Sequence, residues 1–211
     1  DIRNTPIDGS QHGVGLYALA DNGTARTLDV VGNTIYGFQK NGMALSGANL
    51  TVLAKGNNVT GAGPVNFIAQ NGIQLGINAT GVIDSNAVSG FAYTPYTWAS
   101  TGILVYSASG SISVTRNSVL ESMVGIWYIN SQGTVSSNSV SNTLAGMGST
   151  PFWWGIVADP GKGNSKQPPV AGYDMELSSL KPETALKSAA SLTTTVNRNE
   201  MNGGGNGTGI E

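Results

Sequence analysis

The chain has 211 residues, a formal net charge of −2 and only 10% charged residues, so neither a nucleic-acid footprint nor a polybasic membrane patch is visible. It contains no Cys, which excludes a disulfide framework and thiolate zinc sites, and no apolar run approaches the roughly 18–20 residues of a membrane-spanning helix. Gly is abundant at 30 residues, yet 39% of the chain is hydrophobic and regularly β-branched, which favours a packed core over disorder.

Taken in chain order, the residues fall into a repeat with two anchors. The first is Gly, an apolar residue, any residue, then usually another apolar one. It reads Gly13-Val14-Gly15-Leu16, Gly42-Met43-Ala44-Leu45, Gly72-Ile73-Gln74-Leu75 and Gly102-Ile103-Leu104-Val105. It continues as Gly125-Ile126-Trp127-Tyr128, Gly155-Ile156-Val157-Ala158 and, truncated, Gly209-Ile210-Glu211. The second anchor is Asn, any residue, then an apolar residue, beginning at Asn33, Asn57, Asn86, Asn117, Asn138 and Asn199. Three residues before each Asn stands Val30, Ala54, Ile83, Val114, Val135 or Val196.

Alternation of period two between the anchors predicts short strands separated by bends. Units of about 20–30 residues then predict a coiled β-solenoid, because helical repeats would show a 3.6-residue period. Gly, and after it Asn, tolerate the left-handed backbone conformation that turns a strand sharply. Leucine-rich repeats are excluded by the missing leucine spacing, which leaves a jelly roll as the competing architecture.

The pattern resembles the right-handed parallel β-helix repeats of the pectate-lyase-like superfamily, over almost the whole chain. The resemblance implies an all-β solenoid of some six coils, one for each Asn anchor, with three strands per coil. It also implies that Asn33, Asn57, Asn86, Asn117, Asn138 and Asn199 stack in an internal ladder.

Residues 3–9 read as the tail of one coil and 207–211 as the start of another. The expectation is therefore a single domain over 1–211 that belongs to a longer protein or stacks end to end with further chains. An insertion of about 30 residues, at 159–191, separates Gly155 from its Asn199. Within "DMELSSLKPETALKSAASL", Pro182 and the stripe Ala185, Leu186, Ala189 and Ala190 predict a short helix, packed on the rod or serving as a lid.

Alternation places Ile73, Leu75, Ile103, Val105, Ile126 and Tyr128 inside, and Gln74, Gly76, Leu104, Tyr106, Trp127 and Ile129 outside. Two aromatic loops precede these strands, so Tyr93, Tyr96, Trp98, Tyr106, Trp127, Trp153 and Trp154 form a candidate aromatic wall. Aromatic faces stack on sugar rings while neighbouring Asn, Ser and Thr bond hydroxyls. Burial under the insertion or a partner chain is the competing reading.

Catalytic candidates are few. Lys55 and Asp84 share a register on neighbouring coils, with Arg116 one coil further and Arg198 in Arg116's register. These also read as a surface salt bridge with exposed arginines. His12, the single histidine, reads as a loop residue. The resemblance brings a carbohydrate-active expectation, but the paired Asp motifs and Gly-His-Gly of polygalacturonases are absent. So are the clustered calcium ligands and Arg-x-Pro-x-x-Arg of pectate lyases. No metal or cofactor motif is present. Five Asn-x-Thr sequons, at Asn22, Asn49, Asn58, Asn78 and Asn206, are expected by chance in so Asn- and Thr-rich a chain.

The sequence therefore predicts an extracellular or cell-surface scaffold that binds polysaccharide or neighbouring chains through its aromatic side, without catalysis. A polysaccharide lyase or epimerase using Lys55, Asp84 and Arg116 is the alternative, and a purely structural filament or spike element the third. Neither nucleic acid nor membrane insertion is expected.

Overall fold

In a computed structural model of the chain, the described residues are 9, 11–94, 98–143, 153–159, 193–203 and 207–210. The first coil holds β1 (Leu16–Leu19), β2 (Arg26–Val31) and β3 (Thr34–Tyr36). The second holds β4 (Asn41–Ser46), β5 (Leu50–Lys55) and β6 (Asn58–Thr60), and the third β7 (Asn71–Gly76), β8 (Thr80–Asp84) and β9 (Ala87–Phe91). Then come β10 (Thr101–Tyr106), β11 (Ser111–Thr115) and β12 (Ser118–Ser122), followed by β13 (Val124–Ile129), β14 (Gln132–Ser136) and β15 (Ser139–Asn142). The last coil is β16 (Trp153–Asp159), β17 (Thr194–Asn197) and β18 (Glu200–Gly203), and β19 (Gly207–Ile210) begins another turn.

Every third strand pairs with the next. Sheet I runs β1-β4-β7-β10-β13-β16-β19, sheet II holds β2 to β17, and sheet III holds β3 to β18, each in steps of three. All these pairings are parallel. The fold is thus an all-β parallel β-helix of about six coils. The insertion and its expected helix lie outside the described residues.

Register stacks like on like. In sheet I, Met43, Ile73, Ile103, Ile126 and Ile156 form one inward column. In sheet III, Ile35, Val59, Val88, Val119, Val140 and Met201 form another. Each such side chain, once buried, contributes about 1.5–3 kcal/mol of transfer free energy. Phe38 and Phe91 stack inside the rod with ring centroids 6.1 Å apart.

The Asn anchors form a hydrogen-bonded column at the corner between sheets II and III. Asn86 shows the pattern. Its Nδ2 donates to Asn117 Oδ1 (2.9 Å) and to the Ala54 carbonyl (3.0 Å). Its Oδ1 accepts from Asn57 Nδ2 and from the Asn57 backbone N–H, both at 2.9 Å. Both amide hydrogens and both acceptor sites are used, so a buried amide is fully satisfied. Equivalent side-chain bonds join Asn33 to Asn57, Asn117 to Asn138, and Asn138 to Asn199.

The left-handed turn does not fall on these Asn. It falls on the residue before each: Gly32, Gly56, Ser85, Arg116, Ser137 and Arg198 have φ between 51° and 68°. The ladder Asn is there for its amide, and its predecessor bears the strain.

The Gly anchor has a different cause again. Gly42, Gly72, Gly102 and Gly125 face the interior, where an added Cβ would lie 2.4–2.7 Å from the Val59, Val88, Val119 or Val140 methyls. The next coil's glycine carbonyl would be equally close, at 2.4–2.8 Å. Glycine is required here for space.

Two outcomes follow. Asn86→Ala strands Asn57, Ala54 and Asn117 partners in a buried column and should cost about 3 kcal/mol in urea unfolding, whereas Asn33→Ala, at the exposed first rung, should cost less than about 1 kcal/mol. Ser137→Gly relieves a left-handed Cβ on an exposed corner and should stabilise by about 1 kcal/mol in the same assay.

Candidate functional site

From β4 to β13, sheet I is buried on both faces. Behind its inward columns lies a second apolar cluster of Ile77, Ala99, Leu104, Tyr106, Val124, Trp127, Ile129 and Val157, with Trp154 packed on it. Leu104, Trp127 and Val157 stack in register, as do Tyr106 and Ile129. The outward positions predicted from alternation are therefore outward but covered.

The expected single aromatic wall is divided between two layers. Tyr106 and Trp127 belong to the outer cluster, and Trp127 is only 1% exposed with no partner for its indole N–H. Trp153 is 5% exposed and part of the interior core, where it stands against Gly203; Tyr93 also packs on that core. Trp98 and Trp154 are half-buried and so still reach solvent. Tyr96 lies outside the described residues.

The division has a local cause. Gly125 and Ile126 both face inward, so alternation breaks at each Gly anchor. The same break at Gly155 sends Trp153 inward and Trp154 outward.

Trp98 and Trp154 occupy one corner, where sheet III hands the chain to sheet I. Trp98 immediately precedes Ala99 of the outer cluster, and Trp154 pairs in register with Val124 of the same cluster. Two carboxylates lie on the adjoining strands, Glu121 on β12 and Asp159 at the far end of β16 from Trp154. Both Glu121 oxygens accept from the Thr143 backbone N–H, at 3.1 Å, and Oε1 also accepts from the Thr143 hydroxyl, at 2.8 Å. Asp159 closes β16.

A buried polar cluster lies at the same corner in earlier coils. Lys40, 1% exposed, donates from Nζ to the Ala69 carbonyl at 2.7 Å. Gln70 Nε2 donates to the Phe38 and Gln39 carbonyls, and Asn41 Nδ2 donates to Gln74 Oε1 at 2.8 Å. Sequence reading missed this cluster, although a polar pair directly before Gly42, Gly72 and Gly102 was its signal: Lys40-Asn41, Gln70-Asn71 and Ser100-Thr101.

The structure brings only part of the charged constellation together. Asp84 is in register with Lys55, but its carboxylate turns to the other side. It accepts from Thr115 Oγ1 at 2.9 Å and from Arg116 Nη2 at 2.7 Å. Lys55 stays exposed, and the described residues give it no ion pair. Arg198 is exposed on the same corner two coils beyond Arg116. His12 is exposed, and among the described residues no group of three His, Asp or Glu could hold a metal.

Burial alone would raise the Asp84 pKa, but hydrogen bonds from Arg116 and Thr115 and the guanidinium charge outweigh it and hold the carboxyl below its ordinary value. Burial pushes the Tyr128 phenol well up, and its hydroxyl donates to the Ile112 carbonyl at 3.1 Å inside the core. Neither group is a base poised near neutral pH.

Comparison with protein-family models, with curated proteins and with solved structures returned no match.

Because the folded pKa of Asp84 is depressed, its stabilisation is present above the ordinary carboxylate pKa and lost as pH falls through the folded value. Arg116→Ala should therefore destabilise the chain at neutral pH and raise the Asp84 titration midpoint in carbon-detected NMR. The stability difference from the parent should shrink as pH falls through the depressed folded value.

Proposed function

We propose that the chain is a non-catalytic β-helix scaffold, working outside the cell or at its surface, that binds polysaccharide at the corner carrying Trp98 and Trp154. The observation that carries this reading is the pair itself: two half-exposed indoles at one corner, Trp154 packed on the outer apolar cluster and Trp98 next in sequence to Ala99 of that cluster. Indole faces held on a rigid base offer sugar rings a hydrophobic contact at little entropic cost. The low charge of the chain suits the same partner.

A polysaccharide lyase or epimerase needs a base and a proton donor beside a cation. The pairing of Asp84 with Thr115 and Arg116 speaks against that alternative. Kinship with the pectate-lyase-like superfamily rests on the Gly and Asn anchors and remains part of this reading.

The test is titration calorimetry of the full chain against a panel of soluble polysaccharides. Binding to at least one polymer is expected, weakened about tenfold by Trp154→Ala and unchanged by Leu120→Ala on the exposed face of sheet III. Absence of binding across the panel, or equal binding by both variants, would overturn it.

A further inference from the structure

We infer that Asn22 is a latent deamidation site and that Asn49, one coil away, holds it closed. Among the described residues Asn-Gly pairs begin at Asn22, Asn41, Asn71 and Asn202, and only Asn22-Gly23 lies outside the strands. Asn41 and Asn71 are 2% exposed, where the charged species of the reaction are costly to form. Asn202 is exposed but stands in β18, whose extended backbone pairs with β15. Asn22, Gly23 and Thr24 are all exposed at the corner between sheets I and II of the first coil.

The chemistry is intramolecular. The Gly23 backbone nitrogen gives its proton to solvent base and attacks Asn22 Cγ, so a C–N bond forms and the Cγ–Nδ2 bond breaks. Nδ2 takes a proton from water and leaves as ammonia, and a second water opens the cyclic imide to aspartate or isoaspartate. Glycine lets the ring close because it has no Cβ in the way, and at Gly23 nothing lies within 4 Å of the place a Cβ would take. One part of the transition state is already built. The Thr24 N–H donates to Asn22 Oδ1 at 3.2 Å, the oxygen on which negative charge develops. The nucleophile is held back. The Gly23 N–H donates to Asn49 Oδ1 at 2.8 Å. Asn49 is itself fixed to the same turn: its N–H donates to the Ala20 carbonyl and its carbonyl accepts from the Arg26 N–H, both at 2.8 Å. From the second coil it therefore clamps residues 20–26, and its bond to Gly23 must open before that nitrogen can lose a proton and reach Cγ.

The experiment follows deamidation of the full chain at mildly alkaline pH, by mass spectrometry of the tryptic peptide that ends at Arg26. Asn22 should react more slowly than in a synthetic peptide of residues 19–26, and about fivefold faster in Asn49→Ala than in the parent. Asn49→Asp, which keeps an acceptor oxygen, should stay near the parent rate. Asn202 is the control for general loosening of the fold, and its rate should not change in Asn49→Ala. Equal rates at Asn22 in the parent and Asn49→Ala, or equal acceleration at Asn202, would overturn the inference. So would an Asn22 that reacts as fast in the folded chain as in the peptide.

Discussion

One column of side-chain amides sets the geometry of this molecule. Each internal ladder Asn spends two donors and two acceptor sites on neighbouring coils, so displacing one coil by a single residue breaks four bonds at once. Satisfying that amide demands a two-residue corner whose first member adopts φ near 60°, and all six corners comply. Four of the six pay a left-handed Cβ cost at Ser85, Arg116, Ser137 and Arg198, of order 1 kcal/mol each. The bonds gained exceed that cost, because an orphaned amide in this column would lose more.

The glycines complete the frame from the opposite side of sheet III. Where sheet III turns into sheet I, valine methyls and the next glycine carbonyl fill the space a Cβ would need. One corner is fixed by what a side chain must bond, the other by what a side chain must not occupy. Between them the strand register is determined in every coil, and the outward columns of sheet I come to stack as reliably as the inward ones. That is why Leu104, Trp127 and Val157 close into a second apolar layer instead of scattering over the surface.

The solenoid, its coil number and the ladder positions were legible in the sequence because both anchors recur at fixed offsets from apolar residues. The physical role of the glycines was not. Composition shows that a glycine is present, but only coordinates separate a demand for positive φ, as at Gly56, from a demand for space, as at Gly72. Alternation correctly gave the two faces of sheet I, yet it says nothing about whether the outer face is covered, so Trp127 read as a surface residue. It also failed across the Gly anchor, where two consecutive residues face inward; Trp153 was misplaced for that reason. Lys55 and Asp84 were correctly set side by side, but the choice of Asp84 between Lys55 and Arg116 depended on side-chain direction at the corner, which spacing alone does not carry.

The three corners of the coil are therefore unequal in what they can do. Between sheets II and III the chain has two residues, both committed to the ladder, and no room for a pocket. Between sheets III and I the connections run from the single Met123 to residues 61–70 and 92–100, and they carry the aromatic and buried polar side chains. Variation at that corner leaves the amide column untouched, because the strands on either side are already fixed in register. A solenoid built this way can change what it recognises by altering one loop per coil while its frame stays constant. The binding role proposed above uses the corner that holds Trp98 and Trp154, while the corner between sheets II and III carries the Arg116–Asp84 ion pair.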